Sequence, residues 1–275
     1  MASPDLLHRV RMAASALRGR PVVIEPPRPP FELEEPFFAR KRLNKILERE
    51  GAGYRDADPF PHVVVDGFIE KAALRAVLEE FGRVAEDPWR SLSRDTEIKR
   101  SNEDDTSFGP FTSKLIHTLN AGRFLTFLER LTGINGLIAD PHLRGGGLHE
   151  IRRGGKLDVH ADFNFHKRLK LYRRLNLLLY LNRAWSDEWG GHLELWDRDM
   201  SRCCERIAPV FNRTVIFNTT SFSYHGHPSP LLCPDERSRK SVALYYYTVD
   251  CPPDAETTPH TTIFKRTADT PNAPS

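Results

Sequence analysis

The 275-residue sequence is poor in three things that would settle its class at once: cysteine, charge of one sign, and long apolar runs. Its four cysteines, Cys203, Cys204, Cys233 and Cys251, show neither C-x-x-C spacing nor a ladder of disulfides. The fold must therefore stand without staples, and a reduced, cytoplasmic setting is expected. Forty basic residues against 37 acidic ones leave a formal net charge of +3 with no long basic run, so nothing points to nucleic acid as a partner. No stretch approaches the roughly 18 apolar residues of a spanning helix. The leader MASPDLLHRVRMAASALRGRP also lacks the continuous apolar centre of a signal peptide. It reads either as a short amphipathic helix resting on a membrane surface or as a weakly ordered segment.

What is present is the balance of a globular protein, 39% hydrophobic and 28% charged residues, enough for one large domain with additions or two small ones. Residues 21–36, PVVIEPPRPPFELEEP, hold too much proline for a helix or a central strand and mark a linker or an extended segment. FARKRLNKILERE at 38–50 has helical periodicity, PHVVVDGFI at 61–69 is strand-like, and 69–84 is an amphipathic helix. The polar stretch 88–113 reads as a long loop or lid, followed by one helix over about 120–134. From residue 147 the texture changes to short β-rich runs, LHEIRR, KLDVH, RLNLLLYLN, HLELWD, TVIFN and SVALYYYTV, separated by glycines, Asn212 and prolines. Such runs suggest a sandwich or a barrel. The tail after Cys251 reads as irregular, with Ile263 and Phe264 as its anchors.

The chemistry-bearing residues lie in this β-rich half. His160 and Asp162 form an H-x-D pair, followed by His225 and then by Arg239-x-Ser241. Two imidazoles and one carboxylate occupy one face of an octahedral iron and leave three positions for a co-substrate and oxygen. In an extended chain residues i and i+2 project to one face, so His160 and Asp162 can reach one metal from a single strand end, with His225 arriving from another. H-x-D alone arises often by chance; the ordering of the later residues sets it apart. Arg239 and Ser241 alternate with Val242 and Leu244, which turns both toward a barrel interior, and Tyr180 on the preceding strand can add a hydroxyl. A buried guanidinium needs a partner, and a carboxylate is the natural one. For Arg237 and Lys240, in the same ERSRK run, a surface charge is the simpler reading. Spacing alone does not choose between His225 and His227, two residues apart in YHGHP.

The order HADFNFH, RRLNLLLYLN, WGGHLELWD, FNRTVIFNTT, SYHGHPSPL and RKSVALYYYT, over about 148–248, resembles the 2-oxoglutarate- and Fe(II)-dependent dioxygenases of the prolyl 4-hydroxylase-like group. The resemblance implies an α+β chain whose mainly β core is a double-stranded β-helix, a jelly-roll or cupin-like barrel with helices of the N-terminal half packed on it. It further implies Fe(II) held by His160, Asp162 and His225. Arg239 would hold the distal carboxylate of 2-oxoglutarate, helped by Tyr180 and Ser241. The histidine of the family's H-G matches His225, leaving His227 beside the metal or on the substrate side, and His166 and His192 as loop or barrel-surface residues. Where the family often has tyrosine, three residues before the first ligand, this chain has Leu157.

The implied activity is hydroxylation of an unactivated C–H bond with O2, releasing succinate and CO2, with ascorbate as an expected reductant. The implied substrate is a peptide or small molecule, a prolyl residue being the guess the resemblance supplies. Arg152, Arg153, Lys167, Arg168, Lys170, Arg173 and Arg174 are expected at the mouth, mostly as solvated loop charges. The implied organisation is a leader and linker over 1–36, one dioxygenase domain over 37–250 with its barrel core at about 147–249, and a tail over 251–275. A metal-binding barrel without turnover and a zinc hydrolase are the alternatives. The second leaves Arg239-x-Ser241 without a role and lacks a general base.

Overall fold

Apolar residues at helical spacing build the first layer. In the computed structural model, which describes residues 37–38, 41–252 and 258–265, four α-helices precede most of the strands. They are α1 (Arg42–Glu50), α2 (Lys71–Phe81), α3 (Pro110–Asn120) and α4 (Gly122–Thr132). Ala73, Leu74, Val77 and Phe81 of α2, and Phe124, Phe127, Leu128 and Leu131 of α4, recur at the 3.6-residue period and are the buried faces. Pro110 opens α3 at the position where its missing N–H costs nothing, and Gly133, at φ +75°, ends α4 in the left-handed conformation. The carboxylate of Glu80 on α2 accepts hydrogen bonds from the N–H groups of Phe111 and Thr112, so α2 caps α3.

Fourteen strands form one sheet among the described residues. Its main path runs through β1 (His62–Asp66), β11 (Arg213–Asn218), β8 (Leu171–Tyr180), β13 (Ser238–Thr248), β5 (Gly147–Arg152), β3 (Glu97–Asn102), β6 (Lys156–Ala161), β12 (His225–His227), β9 (Leu193–Trp196) and β10 (Cys203–Ile207). All of its ladders are antiparallel, and it curls into the expected jelly-roll barrel. Four short strands attach to this path: β2 (Arg90–Arg94), β4 (Ile138–Ala139), β7 (Phe165–His166) and β14 (Ile263–Phe264).

The run LLLY in β8 is buried on both sides, which is why it is continuously apolar. Leu175, Leu177 and Leu179 join Val242, Leu244 and Tyr246 of β13 against the helices. On the other face Leu178 and Tyr180 pack with Leu193, Leu195, Val215 and Phe217 inside the barrel. Each fully buried leucine contributes about 1.5–3 kcal/mol relative to exposure. The helix–sheet contact is thus the larger apolar layer, and the barrel face combines a smaller apolar cluster with polar groups.

One expectation fails in the N-terminal half. The stretch 88–113 is no loop: β2 and β3 form a hairpin turned at Asp95 and Thr96, and α3 starts at Pro110. β2 exposes all its side chains but Leu92, and β3 buries polar ones, so no apolar alternation betrays either strand. Arg100, for example, lies over the Trp89 ring at 4.5 Å while pairing with Glu150. The helix expected over about 120–134 is α4, Gly122–Thr132, set off from α3 by Ala121 in an extended conformation (ψ 151°) between Asn120 and Gly122. The leader and the proline-rich linker lie outside the described residues. The expected anchor of the tail is found: Ile263 and Phe264 pair with Ala161 and His160 of β6.

Candidate metal and co-substrate site

β6 and β12 are antiparallel neighbours with His160 directly opposite His225. Asp162 follows the end of β6, and the donor atoms of His160, Asp162 and His225 lie within 4.8 Å of one another. His160 Nε2 is 3.6 Å from Asp162 Oδ1, and His225 Nε2 is 3.4 Å from Oδ2. The strands approach so closely because residue 226 is glycine. A Cβ there would sit 2.8 Å from the Leu157 carbonyl and 2.9 Å from that of Asp158.

Each imidazole is oriented by the same local device. His160 Nδ1 donates to the carbonyl of Asp158 at 2.8 Å, and His225 Nδ1 donates to that of Ser223 at 2.9 Å. A carbonyl only accepts, so the proton sits on Nδ1 and both Nε2 lone pairs face Asp162. Burial, reinforced by His160, pushes the pKa of His225 down to about 4, so its ring is neutral at pH 7. Burial would raise the Asp162 carboxyl; the Arg173 guanidinium, followed by His225 and His160, overrides it and holds the carboxylate well below its usual range. Arg173 Nη2 lies 3.1 Å from Asp162 Oδ2, and Asn176 Nδ2 donates to the same oxygen at 2.7 Å. Two lone pairs and a carboxylate converging on one point suit a divalent cation, and this nitrogen–oxygen facial set suits Fe(II). From the tail, the Phe264 ring packs 5.4 Å from that of His160.

Farther into the barrel stands Arg239. Its Nε donates to the Gly191 carbonyl at 2.8 Å and its Nη2 to the Tyr180 hydroxyl at 3.1 Å. Among the described residues no carboxylate pairs with it, and burial lowers its pKa, Tyr180 acting in the opposite direction. Arg173 is the contrast, raised because the charge of Asp162 outweighs its burial. Gly191, at φ +73°, has no room for a side chain: a Cβ would meet Leu231 at 2.6 Å. Ser241 pairs across the sheet with Tyr180 and His149. One cavity is lined by His160, Asp162 and His225 together with Arg239 and Ser241. A larger one, about 670 Å³, lies among α3, α4 and β4 and holds none of these groups.

Of the two histidines in YHGHP, only His225 joins His160 and Asp162. His227 is buried opposite Leu157 and lines the same cavity. His192 is half-buried beside Asp187, whereas His166, expected at the surface, is buried between Asp140 and Tyr247. Arg152, Arg153, Lys167, Arg168 and Lys170 are exposed as expected. Arg173 is the correction: it is 2% exposed and stacks 3.5 Å over the Tyr245 ring while pairing with Asp162. The sequence reading also passed over Asn176, whose Oδ1 receives two hydrogen bonds from Arg173. A lone asparagine in the run RRLNLLLY was the available signal.

Residues 146–247, which hold all of these donors, match the family model described as the 2OG-Fe(II) oxygenase superfamily. The chain carries a 2OG-Fe(II) oxygenase domain. Solved structures agree in fold. The chain is similar to a prolyl-4-hydroxylase of Pseudomonas putida (15% identity, TM-score 0.51, covering 75% of this chain and 97% of that one). It is similar also to a prolyl hydroxylase of Trichoplax adhaerens solved with a hypoxia inducible factor peptide fragment (15%, 0.56, 76% and 94%). A third is a prolyl 4-hydroxylase of Phytophthora capsici (21%, 0.52, 77% and 66%). No curated protein matches the sequence. Among the described residues, no helix is long and apolar enough to cross a membrane.

Proposed function

We propose that this oxygenase binds Fe(II) through His160, Asp162 and His225, binds 2-oxoglutarate through Arg239 with Tyr180 and Ser241 beside it, and hydroxylates a peptide or small-molecule substrate. The superfamily uses Fe(II) and 2-oxoglutarate, which when bound supply the activation of O2 that inserts a hydroxyl into an unactivated C–H bond and leaves succinate and CO2. The observation that carries the reading is the pair of Nδ1–carbonyl bonds that turn both Nε2 atoms toward one carboxylate.

The chain's own groups divide the work. Asp158 and Ser223 fix the tautomers of the two imidazoles through their carbonyls, and Arg173 and Asn176 hold Asp162 ionised with Oδ1 free. Arg239 offers a charge-assisted bond to a carboxylate in a site closed to water. Phe217 and Leu193 keep the surroundings of the histidines dry. A peptidyl proline is the first substrate to test, given the named activities of the structural neighbours. The proposal includes one catalytic domain over 37–250 with its core at 147–249, a leader and linker over 1–36 and a tail over 251–275. A cytoplasmic setting suits the four free cysteines. The test is anaerobic addition of Fe(II) and 2-oxoglutarate, read by the visible charge-transfer absorption of the chelate, then admission of O2 and measurement of succinate. Absence of both signals from folded, iron-loaded protein overturns the reading.

A further inference from the structure

β12 carries two histidines, and the one not used by the metal donors is in the more unusual position. His227 is 3% exposed, yet among the described residues neither Nδ1 nor Nε2 has a hydrogen-bond partner. The neighbouring histidines are tied to backbone carbonyls: the buried His160 to Asp158 and His225 to Ser223, and the half-buried His149 to Gly145. A neutral imidazole always owns one N–H donor and one acceptor, and burying both without partners is unfavourable. Its cross-strand neighbour Leu157 is apolar and offers nothing. If His227 served packing alone, an apolar side chain of the same volume would serve better.

The ring lines the cavity that also holds Arg239, whose guanidinium, among the described residues, bonds neutral oxygens, the Gly191 carbonyl and the Tyr180 hydroxyl. A donor without an acceptor and a cation without an anion therefore share one enclosed space, and a ligand rich in carboxylate oxygen answers both. We propose that His227 donates a hydrogen bond from its ring N–H to the dicarboxylate co-substrate in this cavity, and so sets co-substrate affinity together with Arg239. This rests on the function proposed above. It assigns to the second histidine of the H-G-H sequence a binding role separate from the metal.

The test uses the full chain loaded with Mn(II) under anaerobic conditions, with 2-oxoglutarate titrated by calorimetry and Mn(II) affinity measured separately. His227→Leu keeps the volume and removes both polar atoms. Its metal-free melting temperature is expected to equal or exceed that of the unmodified protein, its Mn(II) affinity to stay unchanged, and its 2-oxoglutarate Kd to rise about tenfold, the loss of one hydrogen bond. His227→Gln retains an N–H donor and is expected to stay within about threefold of the unmodified Kd, on the same scale. An unchanged Kd in His227→Leu, or equal weakening in both variants, overturns the inference and leaves the proposed function standing. Loss of Mn(II) on removal of His227 overturns it by making that residue a ligand. Failure of the unmodified, Mn(II)-loaded protein to bind 2-oxoglutarate overturns the function proposal and this inference with it.

Discussion

Replacing Arg173 by methionine would isolate the electrostatics that hold the candidate metal ligands ready. The methionine keeps much of the stem that packs between Phe163 and Tyr245 but removes the charge 3.1 Å from Asp162 Oδ2. Asp162 then keeps its bond from Asn176 but loses the neighbour that contributes most to its low pKa. Breaking a buried pair by removing one partner costs about 3–5 kcal/mol, because the remaining charge is uncompensated. For a domain of this size each kcal/mol moves Tm by about 2–4 °C, so the metal-free variant should melt about 6–20 °C below the unmodified protein. A divalent ion at Asp162 supplies the missing positive charge, so saturating Mn(II) should raise Tm more in the variant than in the unmodified protein. Thermal denaturation with and without Mn(II), at pH 7, reads both quantities. Arg173→Lys, which keeps the charge and loses the planar stack, should fall between the two. A metal-free Tm within about 1 °C of the unmodified protein, against the loss expected for a broken buried pair, would refute the assignment of Arg173 as the counter-charge. Equal Mn(II) shifts in the two proteins would refute it as well.

Three further outcomes are expected. Arg239→Ala removes a charge-assisted bond worth about 1.5–3 kcal/mol and should raise the 2-oxoglutarate Kd roughly 10- to 150-fold, with Mn(II) affinity unchanged by calorimetry. An unaltered Kd would pass the role to another cation. His225→Ala should abolish Mn(II) binding and succinate formation while far-ultraviolet circular dichroism stays native; retained metal would remove His225 from the donor set. Burial, with Lys99 adding to it, lowers the pKa of His149 from 6.5 to about 3. The unfolded chain therefore binds the extra proton between those values, and stability falls as pH drops through that window. Between pH 7 and pH 5 the loss from this residue is about 2 kcal/mol. His149→Gln should show a correspondingly smaller loss in urea unfolding at pH 5 against pH 7, and identical losses would show that this ring does not titrate as a buried base.

The sheet half of the fold was legible where burial is one-sided or complete. VVV in β1 and LLLY in β8 announce strands because apolar burial is what forms them. The β2–β3 hairpin was not, since its stability rests on backbone pairing and on ion pairs such as that between Arg100 and Glu150, which leave a pattern indistinguishable from a polar loop. α3 was missed with it, because its first turn lies in the same polar stretch, whereas α4 was legible from the helical spacing of Phe124, Phe127, Leu128 and Leu131.

The site shows the same division at the scale of single residues. His160, Asp162, Arg239 and Ser241 line one cavity, in keeping with the i, i+2 spacing that turns each pair to one face of an extended chain. Arg173 was not legible, because β8 breaks that alternation. Tyr246 pairs with Leu175 but Tyr247 with Arg173, so Arg174 is an extra residue bulged out of the ladder. A period-two count from Asn176 leads to Arg174 and assigns Arg173 to the opposite face. The bulge reverses this: Arg174 bonds Thr248 at the strand end, and Arg173 turns inward beside Asn176 to reach Asp162. A one-residue bulge re-aims a side chain at the cost of a ladder bond, a device frequent beside active sites. Deleting Arg174 would restore the regular register and carry residue 173 away from Asp162, so the bulge is as much a part of the candidate site as the guanidinium it delivers.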